Sequence, residues 1–194
     1  KETHISNQFE SNFPSPSINQ LTNKQINMKF ATITSIAIVA LAQSATALRT
    51  VTLKTFGYPP PQYPEVTGKS VSAWHEGAGI NYLLIAEPAT KFTYDEESKH
   101  LYFEGGQGPN GPLKWYFTIG DGEPGILQAN PTDHPTEITI DNLGFITFEG
   151  SYNVKGVKNI DDPYNYSKDH YVLAKYDKEA PSDAVPVFFQ AIDA

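Results

Sequence analysis

Apolar and polar residues alternate with a period of two through most of residues 48–194, and this pattern restricts that part of the chain to β structure. In RTVTLKTF (residues 49–56), Val51, Leu53 and Thr55 fall on one face of a strand and polar residues on the other. No segment of residues 48–194 keeps a 3.6-residue apolar repeat over three helical turns. We therefore expect an all-β fold.

The other strand candidates are short, rich in β-branched or aromatic residues, and bounded by Gly, Pro, Asn or Asp. They are KSVSAWHE, INYLLIAE, KFTYDE, HLYFEG, LKWYFTIG, ILQA, TEITID, FITFEG, HYVLAKYD and VPVFFQAI. Turn sequences such as GGQGPNGP and ANPTDHP separate them. The spacing predicts a single-domain β-sandwich or barrel of about ten to eleven short strands.

Two segments resemble each other: FTYDEESKHLYFEGG (residues 92–106) and ITIDNLGFITFEGS (residues 138–151). In each, a strand ending in Asp is followed by a polar turn and a strand ending in Phe-Glu-Gly. Their spacing of roughly 45 residues would suit a β-trefoil, which we keep as the alternative fold. Since a third copy is missing, we favour two hairpins with similar turn chemistry.

The segment MKFATITSIAIVALAQSATA (residues 28–47) has the organisation of a secretory signal peptide. Lys29 gives a positive start, an apolar core of about 12 residues follows, and Ala45-Thr46-Ala47 supplies small residues before a cleavage site. This core is shorter than the roughly 20 residues that span a bilayer as a helix. We predict cleavage after Ala47, secretion, and no membrane span.

A signal peptide stands near the start of its chain, so residues 1–27 are unexpected. They are rich in Asn, Ser and Gln, without Met or a periodic apolar pattern, as in a disordered segment. We interpret them as upstream leader sequence, or an extension of the gene prediction, outside the real protein. The expected organisation is therefore a leader at 1–27, a signal peptide at 28–47 and a β domain at 48–194.

Charge and cysteine content exclude several classes of partner. The chain has 14 Lys and Arg against 22 Asp and Glu, a net charge of −8. An acidic surface without a basic cluster repels nucleic acid and anionic lipid headgroups. Because the chain has no cysteine, it cannot form disulfides and depends on packing for stability.

Motifs for metal or nucleophilic catalysis are incomplete. His75-Glu76 lacks the second His of a zinc-peptidase motif, since Gly79 occupies that position. The other histidines are separated along the chain, and no G-x-S-x-G sequence occurs. We predict no metal site, no cofactor and no catalytic residue.

Carboxylates are numerous, and two that face each other across a cleft could support glycoside hydrolysis. We favour a solvated acidic surface over such a pair, and turn positions over calcium ligands for Asp121-Gly122-Glu123 and Asp161-Asp162. The candidates are Glu76, Asp95, Glu96, Glu97, Glu104, Asp121, Glu123, Glu149, Asp161 and Asp162.

Aromatic side chains at strand ends and in turns are candidates for binding, because flat rings stack on the C–H faces of sugars. In a β-sandwich the two tryptophans are more often core residues, and this alternative stays open. The candidate carbohydrate-contacting residues are Trp74, Trp115, Tyr58, Tyr63, Tyr164 and Tyr166.

Asn165-Tyr166-Ser167 is an N-glycosylation sequon, whereas Asn130-Pro131-Thr132 is excluded by its proline. In a secreted chain the asparagine of the first sequon would be accessible to N-glycosylation during export. We therefore predict glycosylation at Asn165.

Three stretches resemble small cell-wall proteins of Candida-type yeasts, many of which are GPI-anchored. They are LRTVTLKTFGYPPPQYPEVTGKSVSAWHEGAGINY after the signal peptide, NIDDPYNYSKDHYVLAKYD, and the closing VPVFFQAIDA. The resemblance implies a location in the cell wall or outside the cell, and a structural, adhesive or host-facing role without enzyme activity. Because APSDAVPVFFQAIDA lacks the hydrophobic tail of a GPI signal, we expect a soluble or non-covalently wall-associated member.

Three functions follow from these features. The main prediction is a non-enzymatic, secreted cell-wall component with a structural, adhesive or surface-interaction role, whose partners are wall polysaccharides or wall proteins. The alternative is a carbohydrate-binding module that recognises wall polysaccharide through exposed aromatic residues. A secreted glycoside-active enzyme is the third hypothesis.

Overall fold

The computed structural model describes residues 47–59 and 62–194, and this part of the chain is built almost entirely from strands. The predicted leader, and the predicted signal peptide up to residue 46, lie outside the described residues. One short 3₁₀ turn, Tyr166–Lys168, accompanies the strands. The strands are β1 (Leu48–Gly57), β2 (Lys69–Gly77), β3 (Ile80–Ile85), β4 (Phe92–Asp95), β5 (His100–Gly108), β6 (Gly111–Ile119), β7 (Gly125–Asn130), β8 (Ile138–Ile140), β9 (Ile146–Phe148), β10 (Val154–Val157), β11 (Tyr171–Lys175) and β12 (Val185–Asp193).

Ten strands form one sheet in the order β10-β12-β1-β2-β3-β11-β7-β6-β5-β4. Further pairings of β1 with β4 and of β10 with β11 close this sheet into a barrel. Strands β8 and β9 form a separate two-stranded sheet. The predicted all-β fold, a barrel or sandwich of short strands, is confirmed.

Strand β1 is the seam at which the barrel closes. Along one side it pairs with β12 from Val51 to Gly57. Along its other side it pairs first with β4, over residues 48–51, and then with β2 at Lys54 and Thr55. A long strand that divides one side between two partners lets the sheet branch while its backbone hydrogen bonds remain satisfied.

The inward faces of the strands form the core that the alternation predicts. In β1, Val51 and Leu53 are completely buried, as is Thr55, whose hydroxyl donates to the Val66 carbonyl at 2.5 Å. The β8–β9 hairpin covers the same core, because Phe148 stacks on Phe117 with ring centroids 5.0 Å apart. Complete burial of each such side chain contributes about 1.5–3 kcal/mol.

The two similar segments are the β4–β5 and β8–β9 hairpins, and their likeness lies in the turns. Asp95 Oδ1 accepts from the amides of Glu97 and Ser98, and Asp141 Oδ1 accepts from the amides of Leu143 and Phe145. One hairpin belongs to the ten-stranded sheet and the other forms its own. Because these are not equivalent repeats, the β-trefoil alternative does not describe this sheet.

Strand β10 is the one described strand that the sequence did not predict. Its sequence, VKGV, is four residues long and contains Gly156, so it has neither the length nor the alternation of a strand signal. Gly156 fits because the Tyr171 ring lies where a side chain would project, with Cδ1 3.3 Å from an ideal Cβ position. Tertiary packing, not local propensity, therefore places this strand.

Candidate functional site

The six predicted carbohydrate-contacting aromatics do not form one surface. Trp74, Tyr164 and Tyr166 lie together, whereas Tyr58 belongs to a different face of the barrel. The remaining two, Trp115 and Tyr63, each pack locally.

Trp115 is half-buried within the β5–β6 hairpin. Its indole N–H donates to the Gly105 carbonyl at 2.8 Å, and its ring lies nearly parallel to that of Phe103, with centroids 6.1 Å apart. Tyr63 packs against the core beside Gly57, where an added Cβ would stand only 2.4 Å from the Tyr63 Cβ. Both side chains therefore have structural contacts of their own.

An open pocket on the outside of β1 and β12, of about 420 Å³, is lined largely by aromatic rings. Phe56 on β1 stands directly opposite Phe188 on β12 in the strand register. Both residues lie out of phase with the buried positions of their strands, so their side chains project away from the core. We call this site the outer aromatic pocket; it comprises Phe56, Gly57, Tyr58, Phe145, Tyr152 and Phe188.

The rings of the outer aromatic pocket are accessible to a partner. Tyr58 is 59% exposed and Tyr152 is 45% exposed. The two rings flank Phe188, with centroids 5.5 Å and 5.9 Å from it. Exposed apolar side chains that converge on one place are typical of an interaction site rather than of ordinary protein surface.

Sequence reasoning identified only Tyr58 among these ring-bearing residues. Phe56, Phe145 and Phe188 fall in stretches that were predicted to be strands, and Tyr152 follows one of these stretches; none of the four was named as a binding residue. The alternation within each strand indicates which residues face outward. Phe56 alternates with the buried Leu53 and Thr55, and Phe188 lies between the buried Val187 and Phe189, so both rings point away from the core. The pairing of β1 with β12 was the part that the sequence did not contain.

A second aromatic group, the Trp74 cluster, joins β2 to the loop of residues 158–170. The Trp74 ring meets the rings of Tyr166 and His170 edge to face, with centroids 5.0 Å and 4.7 Å away. Tyr164, which is 53% exposed, stacks on Tyr166 at 5.8 Å with an interplanar angle of 13°. Trp74 itself is half-buried and packs against a small apolar cluster. The Trp74 cluster comprises Trp74, Tyr164, Tyr166 and His170.

Two buried carboxylates accompany the Trp74 cluster. Glu76, only 6% exposed, accepts a hydrogen bond from the Tyr164 amide through Oε2 at 3.2 Å. Asp162, 4% exposed, accepts from the amides of Tyr166 at 2.6 Å and Ser167 at 3.1 Å, and from the Ser167 hydroxyl. Glu76 Oε1 is buried and has no hydrogen-bond partner among the described residues. Both residues were among the carboxylates named from the sequence.

The environments of these two carboxylates push their pKa values apart. Burial raises the pKa of Glu76 to about 7; the Tyr164 amide opposes this shift, and the neighbouring Asp162 reinforces it. Burial also acts to raise the pKa of Asp162, but hydrogen bonds from Ser167 and Tyr166 outweigh it and hold that pKa below its usual range. Near neutral pH, Glu76 therefore carries a proton about half of the time while Asp162 is ionised.

The remaining predictions concern modification, metals and membranes. Asn165 is exposed and has a left-handed backbone conformation, with φ 60°, at the start of the 3₁₀ turn. Within residues 47–59 and 62–194, no three His, Asp or Glu side chains group in a way that could hold a metal ion. In the same part of the chain, no helix has the length and apolarity to cross a membrane.

Comparison with known proteins identifies relatives in Candida albicans. The chain is 35% identical to cell wall protein PGA31 over 76% of its length and 32% identical to cell wall protein PGA30 over 75%. It is 31% identical to cell wall protein RHD3 over 64% of its length. These matches cover 48%, 50% and 60% of the respective relatives, so the chain spans about half the length of the first two.

No protein-family profile matches the chain, and no solved structure matches it. The three relatives share a named location, the cell wall, and the similarity to them extends over most of this chain. The resemblance noted in the sequence is confirmed. Homologues at 31–35% identity over most of the chain support its assignment to a Candida-type yeast cell-wall protein family.

Proposed function

We propose that this domain is a non-enzymatic component of the cell wall that contacts other wall components through the outer aromatic pocket. One observation carries the proposal: the rings of Phe56, Tyr58, Phe145, Tyr152 and Phe188 converge on an open site outside the barrel. The core does not need these outward-facing rings, and covering them would remove apolar surface from water.

The chemistry of the buried carboxylates supports a role without catalysis. A glycosidase needs two carboxyl groups that face the scissile bond from either side, one to donate a proton and the other to attack or to activate water. Asp162 instead accepts hydrogen bonds from Tyr166 and Ser167, and Glu76 accepts one from Tyr164. The Glu76 bond joins the loop of residues 158–170 to β2, and the Asp162 bonds fix the backbone within that loop, so both carboxylates make structural contacts.

A carbohydrate-binding module is the second candidate, favoured by the exposure of Tyr58 and Tyr152 at the rim of the pocket. Tyrosine rings present a flat face to sugar C–H groups and a hydroxyl to sugar oxygens. None of the described lining residues carries a charge, which suits a neutral polysaccharide. Under this reading Asn165 is a glycosylation acceptor on a separate loop.

The test is co-sedimentation of the purified chain with isolated yeast walls, and in parallel with β-glucan, chitin and mannan. The variant Tyr58→Ala/Tyr152→Ala removes the two exposed tyrosine rings at the edge of the outer aromatic pocket. Tyr164→Ala is the matched control, because it removes an exposed tyrosine from the Trp74 cluster instead. We expect saturable wall binding that the double variant loses and the control retains.

The outcomes separate the two candidates. Binding to walls but to no purified polysaccharide supports contact with another wall component, whereas binding to one polysaccharide supports the carbohydrate-binding module. If the double variant is folded by circular dichroism and binds walls as well as the wild type does, the outer aromatic pocket is not the wall-binding site.

A further inference from the structure

Glu76 and Asp162 are distant in sequence, yet they act on the same short piece of backbone: Glu76 Oε2 accepts from the Tyr164 amide at 3.2 Å and Asp162 Oδ2 from the Tyr166 amide at 2.6 Å. The two carboxylates are therefore close neighbours, and Asp162 acts directly on Glu76. Both residues are more than nine-tenths buried, and they come from different parts of the fold, the end of β2 and the loop before the 3₁₀ turn. Two ionised carboxylates in such contact repel each other and lack water to compensate. A stable arrangement of the two carboxylates therefore needs a positive charge between them.

A single proton supplies it. Glu76 Oε1 has no donor among the described residues, and an ionised Asp162 cannot be one, because a carboxylate only accepts. If Oε1 carries a proton, it becomes the donor and Asp162 the acceptor, which satisfies the buried oxygen and removes one negative charge. No further ligand is required.

We propose that Glu76 and Asp162 form a one-proton latch that fastens the loop of residues 158–170 to β2 and loosens it when that proton is lost. The latch acts on the backbone of the loop, since Glu76 holds the Tyr164 amide and Asp162 holds those of Tyr166 and Ser167. The stacked rings of Tyr164 and Tyr166, and through Tyr166 the contact with Trp74, depend on those bonds.

The direction of the pH dependence follows from Glu76. Its pKa is about 7 in the folded domain against an ordinary value of 4.5. The closed loop therefore binds the proton more tightly than an open one, so the latch holds fully below about pH 4.5 and weakens as pH rises through 7. Tyr82 on β3 is the other titratable group acting on the pair, and burial with the two carboxylates raises its pKa, so it stays neutral in this range.

Two histidines near the loop make a control necessary. His170 packs against Trp74, and the His75 ring lies 6.3 Å from the Tyr164 ring. Either imidazole is a second possible source of a pH response in this loop. Glu76→Gln distinguishes the two sources, because glutamine keeps the shape and a donor toward Asp162 while both histidines remain.

The experiment measures amide hydrogen exchange of Tyr164 and Tyr166 in the full chain between pH 6 and pH 8, corrected for intrinsic chemical exchange. In the wild type we expect the protection factor to fall about tenfold, the change in latch strength for a group with a pKa near 7. In Glu76→Gln, protection should change less than about twofold. A constant protection factor in the wild type, or an equal fall in Glu76→Gln, would overturn the proposal.

A second measurement needs no substitution. The side-chain carboxyl carbon of Glu76, followed by ¹³C NMR in the wild-type chain, reports its protonation directly. A titration midpoint near pH 7 supports the latch. A midpoint at the ordinary value of about 4.5 would contradict it, because an ionised Glu76 could not donate to Asp162.

Discussion

The outer aromatic pocket and the Trp74 cluster differ in what their aromatic rings touch. The rings of the pocket contact one another and solvent, as in the edge-to-face contact of Tyr58 with Phe188. The Trp74 cluster instead lies beside two buried carboxylates that hold the backbone of its loop. Aromatic composition alone therefore does not identify a binding surface; the polar groups around the rings separate an interaction surface from a structural joint.

The largest expected effect is a loss of stability when the loop beside the Trp74 cluster loses its buried carboxylate. Asp162→Ala removes the acceptor for the amides of Tyr166 and Ser167 and for the Ser167 hydroxyl. Because buried donors then lack partners, we expect a loss of about 3 kcal/mol in unfolding free energy. Urea denaturation measures it, and Asp169→Ala, an exposed carboxylate on the same loop, should stay close to the wild type. Similar stability of the two variants would contradict the assigned role of Asp162.

Trp74→Ala should have the next largest effect. The substitution removes the ring contacts with Tyr166 and His170 and leaves a void over the small apolar cluster against which Trp74 packs, which includes Leu84 and Val172. For a half-buried tryptophan we expect a loss of about 2 to 3 kcal/mol. Trp74→Phe, which keeps an aromatic ring at this position, should recover part of the loss in the same denaturation experiment. Wild-type stability of Trp74→Ala would mean that the cluster does not stabilise the loop.

The pH dependence of global stability gives a third comparison. The contribution of Glu76 is fully present below about pH 4.5 and is lost as pH rises through about 7, because its folded pKa is raised. We expect the unfolding free energy to fall by about 2 kcal/mol between pH 5 and pH 8 through this group. In Glu76→Gln the unfolding free energy should change little between pH 5 and pH 8. If the variant keeps the wild-type slope, other groups cause the pH dependence.

The predicted strands were recognisable from their β-branched and aromatic residues and their bounding turns. Inward and outward positions alternate clearly in β1, β4, β7, β9 and β12. Strand β10 was not predictable, since Val154, Gly156 and Val157 are buried without alternation and pair only because β11 and β12 lie on either side. The order of strands in the barrel was equally absent from local patterns. Closure depends on β1 meeting β4, a pairing set by the whole sheet.

The candidate sites were predictable in part. Tyr58 was identified from its place at the end of a strand, and the outward parity of Phe56 and Phe188 was present in the sequence. Their meeting across β1 and β12 was not. Glu76 and Asp162 were both named as carboxylates, but their approach requires the fold to bring β2 against the loop of residues 158–170.

The most direct test of the account measures wall binding and unfolding free energy on Tyr58→Ala and Trp74→Ala together. We expect Tyr58→Ala to weaken wall binding at least about tenfold, as loss of an interface anchor does, while losing only about 0.5 kcal/mol of stability, because its ring is mostly exposed. Trp74→Ala should lose stability and, at a temperature where it is folded, keep wild-type binding. The opposite pattern, with binding lost only in Trp74→Ala, would place the interaction surface at the Trp74 cluster and contradict the account.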